Sequence, residues 1–220
     1  SSQLFKDANS ATDLDLSKFD TSRVTDMSEM FSNMSALSSL DLSHFDTRNV
    51  TSMKDIFNND NALTDLNISS FNTSKVKDMS GMFNYCYGLT SIDVSNFDTS
   101  KVESMQSMFS GLSELTELNI TNFDTSSVTN MHEMFGGLAQ LTQLDVSHLD
   151  TSNVTDMSGM FTDVGQITEL NLSNFNTSKV ENMSGMFSGM AAVTELDLSH
   201  FDTSAVTDMS SMFLGMSSLT

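Results

Sequence analysis

The stretch FNTSKVKDMSGMF at residues 71–83 returns as FNTSKVENMSGMF at residues 175–187, with two changes. The two copies begin 104 residues apart, which is four times 26, and related copies fill the interval between them. An aromatic residue or leucine, then Asp or Asn, then Thr marks each start. The chain is therefore a tandem array of 26-residue repeats without insertion or deletion. The eight repeats start at Phe19, Phe45, Phe71, Phe97, Phe123, Leu149, Phe175 and Phe201.

Numbered from these starts, the repeat reads FDTSxVTDMSxMFxGMxxLTxLDLSx over positions 1 to 26. All 18 methionines lie at positions 9, 12 and 16, and 15 of the 16 phenylalanines lie at positions 1 and 13. Phe5 stands outside these apolar columns, so we expect it to lie outside the core. A unit this short cannot bury its own apolar face. We therefore expect the repeats to stack as one domain over residues 1–220.

The spacing of apolar residues within a repeat predicts its local structure. Positions 22 and 24 alternate as in a strand, whereas positions 9, 12, 13 and 16 follow helical spacing. Position 8 carries Asp, Asn or Ser, which are favoured helix N-caps, and position 15 carries a residue that tolerates a left-handed backbone, except at Tyr85. The pattern predicts an α/β fold. It is a right-handed leucine-rich-repeat-like solenoid of eight coils, with a parallel β-sheet on one face and short helices on another.

Composition excludes several classes of partner. Nine Lys and Arg residues against 29 Asp and Glu give a formal charge of −20, which repels nucleic acid and anionic membranes. The sequence contains no run of eighteen apolar residues, so we expect no membrane insertion. The N-terminus does not have the pattern of a signal peptide. The single cysteine, Cys86, excludes an internal disulfide and occupies a core column, so we interpret it as a structural thiol.

The repeat FDTSxVTDMSxMFxGM with LTxLDLSx resembles the repeat of the BspA-like leucine-rich-repeat surface proteins of bacteria. The likeness extends over all eight repeats and is strong at Thr in position 3 and Met-Phe at positions 12 and 13. It implies a secreted or cell-surface protein used in adhesion to a host, to matrix or to other cells. Such proteins usually carry a signal and an anchor. Neither is visible here, so we expect this chain to be the repeat region of a longer surface protein.

No pattern in the sequence predicts catalysis, so we expect no enzyme, no catalytic residues, no cofactor and no metal site. His44, His148 and His200 share position 26 but are at least two coils apart. Asp or Asn at position 2 raises calcium binding between coils as an alternative, against a role in capping the turn. Thr at position 3 likewise raises an ice-binding ladder, against a hydroxyl that satisfies backbone groups in the turn.

The outward face of the predicted strands is the candidate ligand surface, because it is repeated, polar and variable. We expect a ligand that is basic or rich in hydroxyls, and hence a host or matrix protein or a glycan as partner. A passive spacer that displays another domain is the alternative function. Tyr85 and Tyr87 are the best candidates for exposed aromatic side chains, and uncapped terminal coils predict self-association. The candidate ligand residues are Asp93, Glu117, Asn119, Asp145 and Glu169.

Overall fold

The computed structural model describes residues 2–220, and these form a leucine-rich-repeat-like solenoid whose coils follow the 26-residue repeat. We number the coils from the repeat starts, so coil one begins at Phe19 and coil eight at Phe201. Two strands are formed, β1 at Ser39–Asp41 and β2 at Asp65–Asn67, and they pair in parallel. Isolated bridges join the residues at position 8 of successive coils, and all of them are parallel. The described residues contain no helix.

Backbone hydrogen bonds join successive coils at positions 9, 11, 13 and 15. In coil one, the amides of Met27, Glu29, Phe31 and Asn33 donate to carbonyls of coil two at 3.0, 2.8, 3.0 and 2.9 Å. The same four bonds recur at every junction from coil one to coil eight. This ladder holds the backbones of neighbouring coils at about the 4.8 Å spacing of paired strands.

The helix predicted over positions 9 to 16 is wrong, and a series of tight turns replaces it. Amides at positions 12 and 14 bond to the carbonyl three residues earlier, as Met30 does to Met27 at 3.2 Å. Positions 11 and 15 have positive φ in all eight coils. Two packed helices need about 8–10 Å between their axes. The ladder holds the coils closer than that, so helices cannot stack at this pitch.

The predicted apolar columns form the core. The phenylalanine rings at position 13 stack from coil to coil, with centroids 5.6 to 6.1 Å apart and interplanar angles of 2° to 15°. The methionines at position 9 are buried in coils one to seven, beside those at position 12. Because the repeat has no insertions, equivalent side chains lie directly over one another and fill the same space in each coil.

The expectation that Phe5 lies outside the core is also wrong. Its ring stacks on that of Phe31, with centroids 5.6 Å apart, and its amide donates to the carbonyl of Met30 at 2.9 Å. The amides of Gln3 and Asp7 make the equivalent bonds to Ser28 and Ser32 at 3.0 and 2.9 Å. Residues 3–18 therefore form a partial coil in the same register, and Phe5 occupies its position 13.

The predicted parallel sheet is only partly formed. β1 and β2 join coils one and two, with Leu40 opposite Leu66, and the predicted inward residues Leu40 and Leu42 are buried. Among the described residues, no backbone hydrogen bond links positions 20 to 24 of coils four, five, six and seven to one another. Coils four to seven are thus joined along the turn ladder but not along the strand face, which we define as positions 20 to 24 of all coils.

Candidate functional site

The five predicted ligand residues all lie exposed on the strand face. Glu117, Asn119 and Asp145 line a groove of about 690 Å³ between coils four and five. Asp145 and Glu169 line the next groove along, of about 320 Å³, between coils five and six. A third groove, of about 350 Å³, follows between coils six and seven. The structure thus brings four of the five residues to adjacent grooves and leaves Asp93 outside them.

These grooves form where no backbone hydrogen bonds among the described residues join the strand faces of neighbouring coils. Thr116 and Thr142 at position 20 stand on opposite walls of the largest groove, with Glu117 and Gln143 beside them at position 21. Among the described residues no backbone hydrogen bond crosses this groove, and hydroxyl, amide and carboxylate side chains line it. The grooves thus offer many hydrogen-bonding groups beside the apolar side chains of Leu118 and Leu144.

The strand face carries charge of one sign. Position 21 and position 23 together supply ten carboxylates from the partial coil to coil seven, and no Lys or Arg stands at positions 20 to 24 in any coil. Hydrogen bonds from Ser147, through its Oγ at 2.7 Å and its amide at 3.0 Å, lower the pKa of Asp145. The equivalent serine, Ser95, lowers the pKa of Asp93 in the same way. Both carboxylates are therefore ionised at neutral pH.

The candidate residues fall into two groups, those that accept a backbone hydrogen bond within the fold and those that do not. Asp93, Asn119 and Asp145 at position 23 each accept the amide two residues later, at 3.0 to 3.1 Å, which closes a turn at the end of the strand face. Glu117 and Glu169 at position 21 receive no hydrogen bond from any described side chain or backbone amide. The glutamates are thus the more available of these groups for a ligand.

The residue at position 2 caps the turn. Asp20 accepts the amide of Ser22 at 2.9 Å, and the residue at position 2 makes the same bond in every coil. The prediction that position 2 caps the turn is confirmed. Within residues 2–220, no three His, Cys, Asp or Glu side chains are grouped as a metal ion requires.

The threonine column at position 3 is likewise engaged in the turn. The Thr99 hydroxyl donates to the carbonyl of Asp124 at 2.9 Å and accepts its amide at 2.8 Å. Thr21 to Thr177 are buried in this way, so the column does not present a flat array of hydroxyls to solvent. The interpretation of these hydroxyls as partners of backbone groups is confirmed.

The other candidate side chains also have structural partners. Cys86 is buried and its Sγ donates to the carbonyl of Phe57 at 3.0 Å, and burial raises the pKa of the thiol well above its ordinary range. In His44, His148 and His200, Nε2 lies 2.7 to 2.9 Å from a carbonyl oxygen of the preceding coil. The thiol and these three imidazoles are thus each paired with a backbone carbonyl oxygen of the preceding coil.

Sequence spacing missed one cluster, at position 10 of adjacent coils. His132 Nδ1 lies 2.7 Å from the Oγ of Ser158, and this Oγ also lies 2.5 Å from Asp156 Oδ1. The Ser158 hydroxyl donates to Asp156, so the imidazole donates to the hydroxyl rather than accepting its proton. Ser158 is also only 5% exposed. The cluster therefore joins coils five and six and does not present an activated nucleophile.

Comparison with known proteins places this geometry among bacterial repeat proteins. The sequence profile of one family, described as "Mycoplasma protein of unknown function, DUF285", matches residues 1–117, 86–170 and 145–220. A search of curated protein sequences found no match.

Solved structures with a similar fold include two leucine-rich proteins. One is a leucine-rich cell surface protein of Faecalibacterium prausnitzii A2-165, with a TM-score of 0.53 and 22% identity over 78% of this chain and 42% of that one. The other is a leucine-rich-repeat protein of Eubacterium ventriosum, with a TM-score of 0.50 and 18% identity over 78% of this chain and 41% of that one. This chain thus spans less than half the length of either protein.

Proposed function

We propose a function from the premise that this chain belongs to the protein family described as "Mycoplasma protein of unknown function, DUF285". The repeat array is a non-enzymatic recognition module of a bacterial cell surface, used in adhesion. Its strand face binds a basic segment of a partner protein from a host, from matrix or from another cell. The resemblance to leucine-rich cell-surface proteins supports the location.

The observation that carries the proposal is the charge and shape of the strand face. Ten carboxylates and no cationic side chain stand at positions 20 to 24, and the grooves between coils four and seven lie among them. A Lys or Arg side chain of a partner would enter a groove and meet a carboxylate. One such exposed contact contributes about 0.2–1 kcal/mol. Repetition along the solenoid adds contacts of the same kind, so affinity comes from their number.

The test compares two triple variants of the full chain for binding to a deca-lysine peptide. Glu117→Gln, Asp145→Asn and Glu169→Gln remove three charges and keep every turn bond, since Asn already occupies position 23 at Asn119. The control removes three charges elsewhere and lies outside the strand face. Its changes are Glu103→Gln, Asp124→Asn and Glu181→Gln.

We expect the strand-face variant to bind the peptide about tenfold more weakly, because three exposed ion pairs are lost. The control should bind nearly as well as the unchanged chain, and rising salt should weaken all three. Equal weakening in both variants would mean that the peptide responds only to net charge. No binding by the unchanged chain would favour the alternative function, a passive spacer that displays another domain.

A further inference from the structure

A pair of exposed tyrosines interrupts the regular surface of the solenoid. Tyr85 and Tyr87 are 42% and 43% exposed, and their ring centroids lie 5.8 Å apart with planes tilted by 37°. The other exposed large apolar side chains all belong to the partial coil, coil one or coil eight. Within coils two to seven, therefore, this pair alone among the described residues presents a large apolar surface to solvent.

The two tyrosines depart from the repeat at the positions they occupy. Position 15 carries Asn, Asp or Gly in every other coil, and position 17 carries Ser, Asn, Ala or Gly. Small or polar side chains are thus sufficient for the fold at both positions. The rings add surface that the solenoid does not need.

The backbone at Tyr85 has an unfavourable conformation for its residue type. Its φ is 58°, whereas the other residues in this column are glycines or the more tolerant Asn33, Asn59 and Asp163. A bulky side chain is strained in this left-handed region. Strain that the surrounding structure imposes on one residue is a reason to look for a function there.

The next coil leaves room for the Tyr85 ring. A Cβ atom at Gly111 would lie 2.6 Å from Cδ1 of Tyr85, so the ring occupies the space that a side chain at 111 would fill. One edge of the ring is therefore fixed against the backbone of coil four. The rest of the ring remains exposed beside Tyr87.

We propose that Tyr85 and Tyr87 form a stacking platform for a neutral glycan, with the C–H face of a sugar ring lying on the aromatic rings. Aromatic side chains bind such apolar faces through area and dispersion, and their phenol groups and neighbouring amides serve the sugar hydroxyls. Asn61 stands exposed at position 17 of the preceding coil and supplies such an amide. This platform is separate from the strand face and does not rest on the function proposed for it.

Charge argues that the glycan is neutral. The chain carries a formal charge of −20, which opposes an acidic polysaccharide. A basic peptide has little to hold it here, because Glu114 is the only exposed ionic side chain at positions 14 to 18 of coils two, three and four. Binding to the platform should therefore depend little on salt, unlike binding to the strand face.

The composition gives a direct measurement. Tyr85 and Tyr87 are the only tyrosines, and the chain has no tryptophan, so its tyrosine fluorescence reports the platform alone. The full chain is titrated with cellohexaose, mannohexaose and galactohexaose, and in parallel with heparin and with deca-lysine. We expect a saturable fluorescence change with at least one neutral hexasaccharide, unchanged between low and high salt.

Two variants separate binding from folding. Tyr85→Asn with Tyr87→Ser installs the residues found at Asn59 and Ser113, so saturation-transfer NMR contacts to the sugar should disappear while the melting temperature does not fall. Tyr85→Phe with Tyr87→Phe keeps both rings and should retain the NMR contacts. The proposal is overturned if no neutral hexasaccharide changes the fluorescence, or if deca-lysine alone does. It is also overturned if the Asn–Ser variant melts more than about 4 °C lower, because the tyrosines would then be structural.

Discussion

At the scale of single residues, Asp60 is the exception in the core. It occupies position 16, where the other coils carry Met, Leu, Val or Cys, and it is fully buried. Its Oδ1 accepts the amide of Met34 at 2.7 Å, while its Oδ2 has no hydrogen-bond partner. Burial raises the pKa of this carboxyl to about 8. The titratable group that faces it is the thiol of Cys86, whose own pKa is raised by burial and by the charge of Asp60.

Asp60 should make the stability of the protein decrease as pH rises. The unfolded chain releases this proton near 3.8 and the folded protein near 8, so between these values the folded state binds more protons. The free energy of unfolding should then fall with pH across that window, by up to about 1.4 kcal/mol per unit. Urea unfolding of the unchanged chain and of Asp60→Leu from pH 5 to pH 8 measures the difference. Leu matches Leu112 in the same column and should remove the slope.

The opposite sign would contradict this assignment of Asp60. If Asp60→Leu and the unchanged chain have the same pH dependence, the carboxyl is ionised in both the folded and the unfolded states. The comparison is needed because other carboxylates act in the opposite direction at low pH. Asp145 and Asp202, for example, have lowered pKa values, so the stability that they contribute is lost as pH falls below their ordinary range.

The phenylalanine stack gives a second prediction at this scale. Phe109 lies in the middle of the stack and is fully buried, whereas Phe213 at the same position of coil eight is 45% exposed. Phe109→Ala should lower the free energy of unfolding by about 3–5 kcal/mol, as expected for a buried ring. Phe213→Ala is the matched control and should cost clearly less, because its ring packs on Phe187 from one side only. Equal losses in thermal or urea unfolding would contradict the stack as the centre of the core.

The core residues of the eight repeats could be predicted one by one, but the core residue of the N-terminal partial coil, Phe5, could not. The columns at positions 9, 12 and 13 were readable because Met and Phe repeat there without insertions. Phe5 was misassigned because the residues before it do not resemble the repeat, although its distance from Phe31 is one full repeat of 26. Counting back by one period from Phe31, at position 13 of coil one, gives Phe5. In a solenoid, register identifies a core residue even where the motif has faded.

At the scale of the structural element, the turn hydroxyls join the coils, and this can be tested at position 3. Thr99→Val removes the buried hydroxyl that accepts the amide of Asp124 and donates to its carbonyl. Leaving them without partners should cost about 1–3 kcal/mol of stability. Thr129→Val is the control, because its exposed hydroxyl only donates to Glu103 at 3.2 Å and water can replace it. Similar losses measured by urea unfolding would mean that the position 3 hydroxyl has no special role.

The same element explains why a helix was predicted. The side chains at positions 9, 12, 13 and 16 point inward in the turn series as they would in a helix, so apolar spacing did not separate the two. The N-cap predicted at position 8 has no helix to cap, and Asp26 instead caps the first turn by accepting the amide of Ser28 at 2.8 Å. The signal against a helix was at position 11, where Gly81, Gly159 and Gly185 stand in its predicted interior.

The sequence predicted that the candidate residues lie on one exposed face, but it did not predict the grooves between the coils. Alternation at positions 21 and 23 placed Glu117 and Asp145 on one outward face, and the structure places them there. The grooves depend on missing hydrogen bonds between coils four and seven, and no residue pattern distinguishes those coils from the pair that forms β1 and β2. The spacing of neighbouring strands is set by how the whole stack closes, which a single repeat does not contain.

At the scale of the whole molecule, the ladder of backbone hydrogen bonds between coils leaves different backbone groups without partners at the two ends of the stack. Coil eight has four amides, at Met209, Ser211, Phe213 and Gly215, that have no acceptor among the described residues. The equivalent amides of coil four, from Met105 to Gly111, are all bonded to coil five. Hydrogen exchange at low protein concentration should therefore be fast for the first group and slow for the second. Uniform protection from coil one to coil eight in a monomer would contradict this.

The same amides give the last prediction, which concerns self-association through the ends. In the partial coil, the carbonyls of Ser2, Leu4 and Lys6 accept no hydrogen bond from residues 2–220, and they occupy positions 10, 12 and 14. Those are the positions that accept from positions 11, 13 and 15 of the preceding coil at every junction inside the chain. We therefore expect a second copy to stack end to end, with Phe213 of one copy on Phe5 of the next.

Sedimentation velocity over a concentration series measures this association, and hydrogen exchange locates it. Rising concentration should produce larger species and should slow exchange at Ser211, Phe213 and Gly215 together, because one ladder protects all three. Phe213→Asp should abolish both effects by placing a charge in the stacking surface. Glu114→Lys, an exposed change in the middle of the stack, is the control and should leave them unchanged. Larger species that form equally well with Phe213→Asp would mean that the copies associate through another surface.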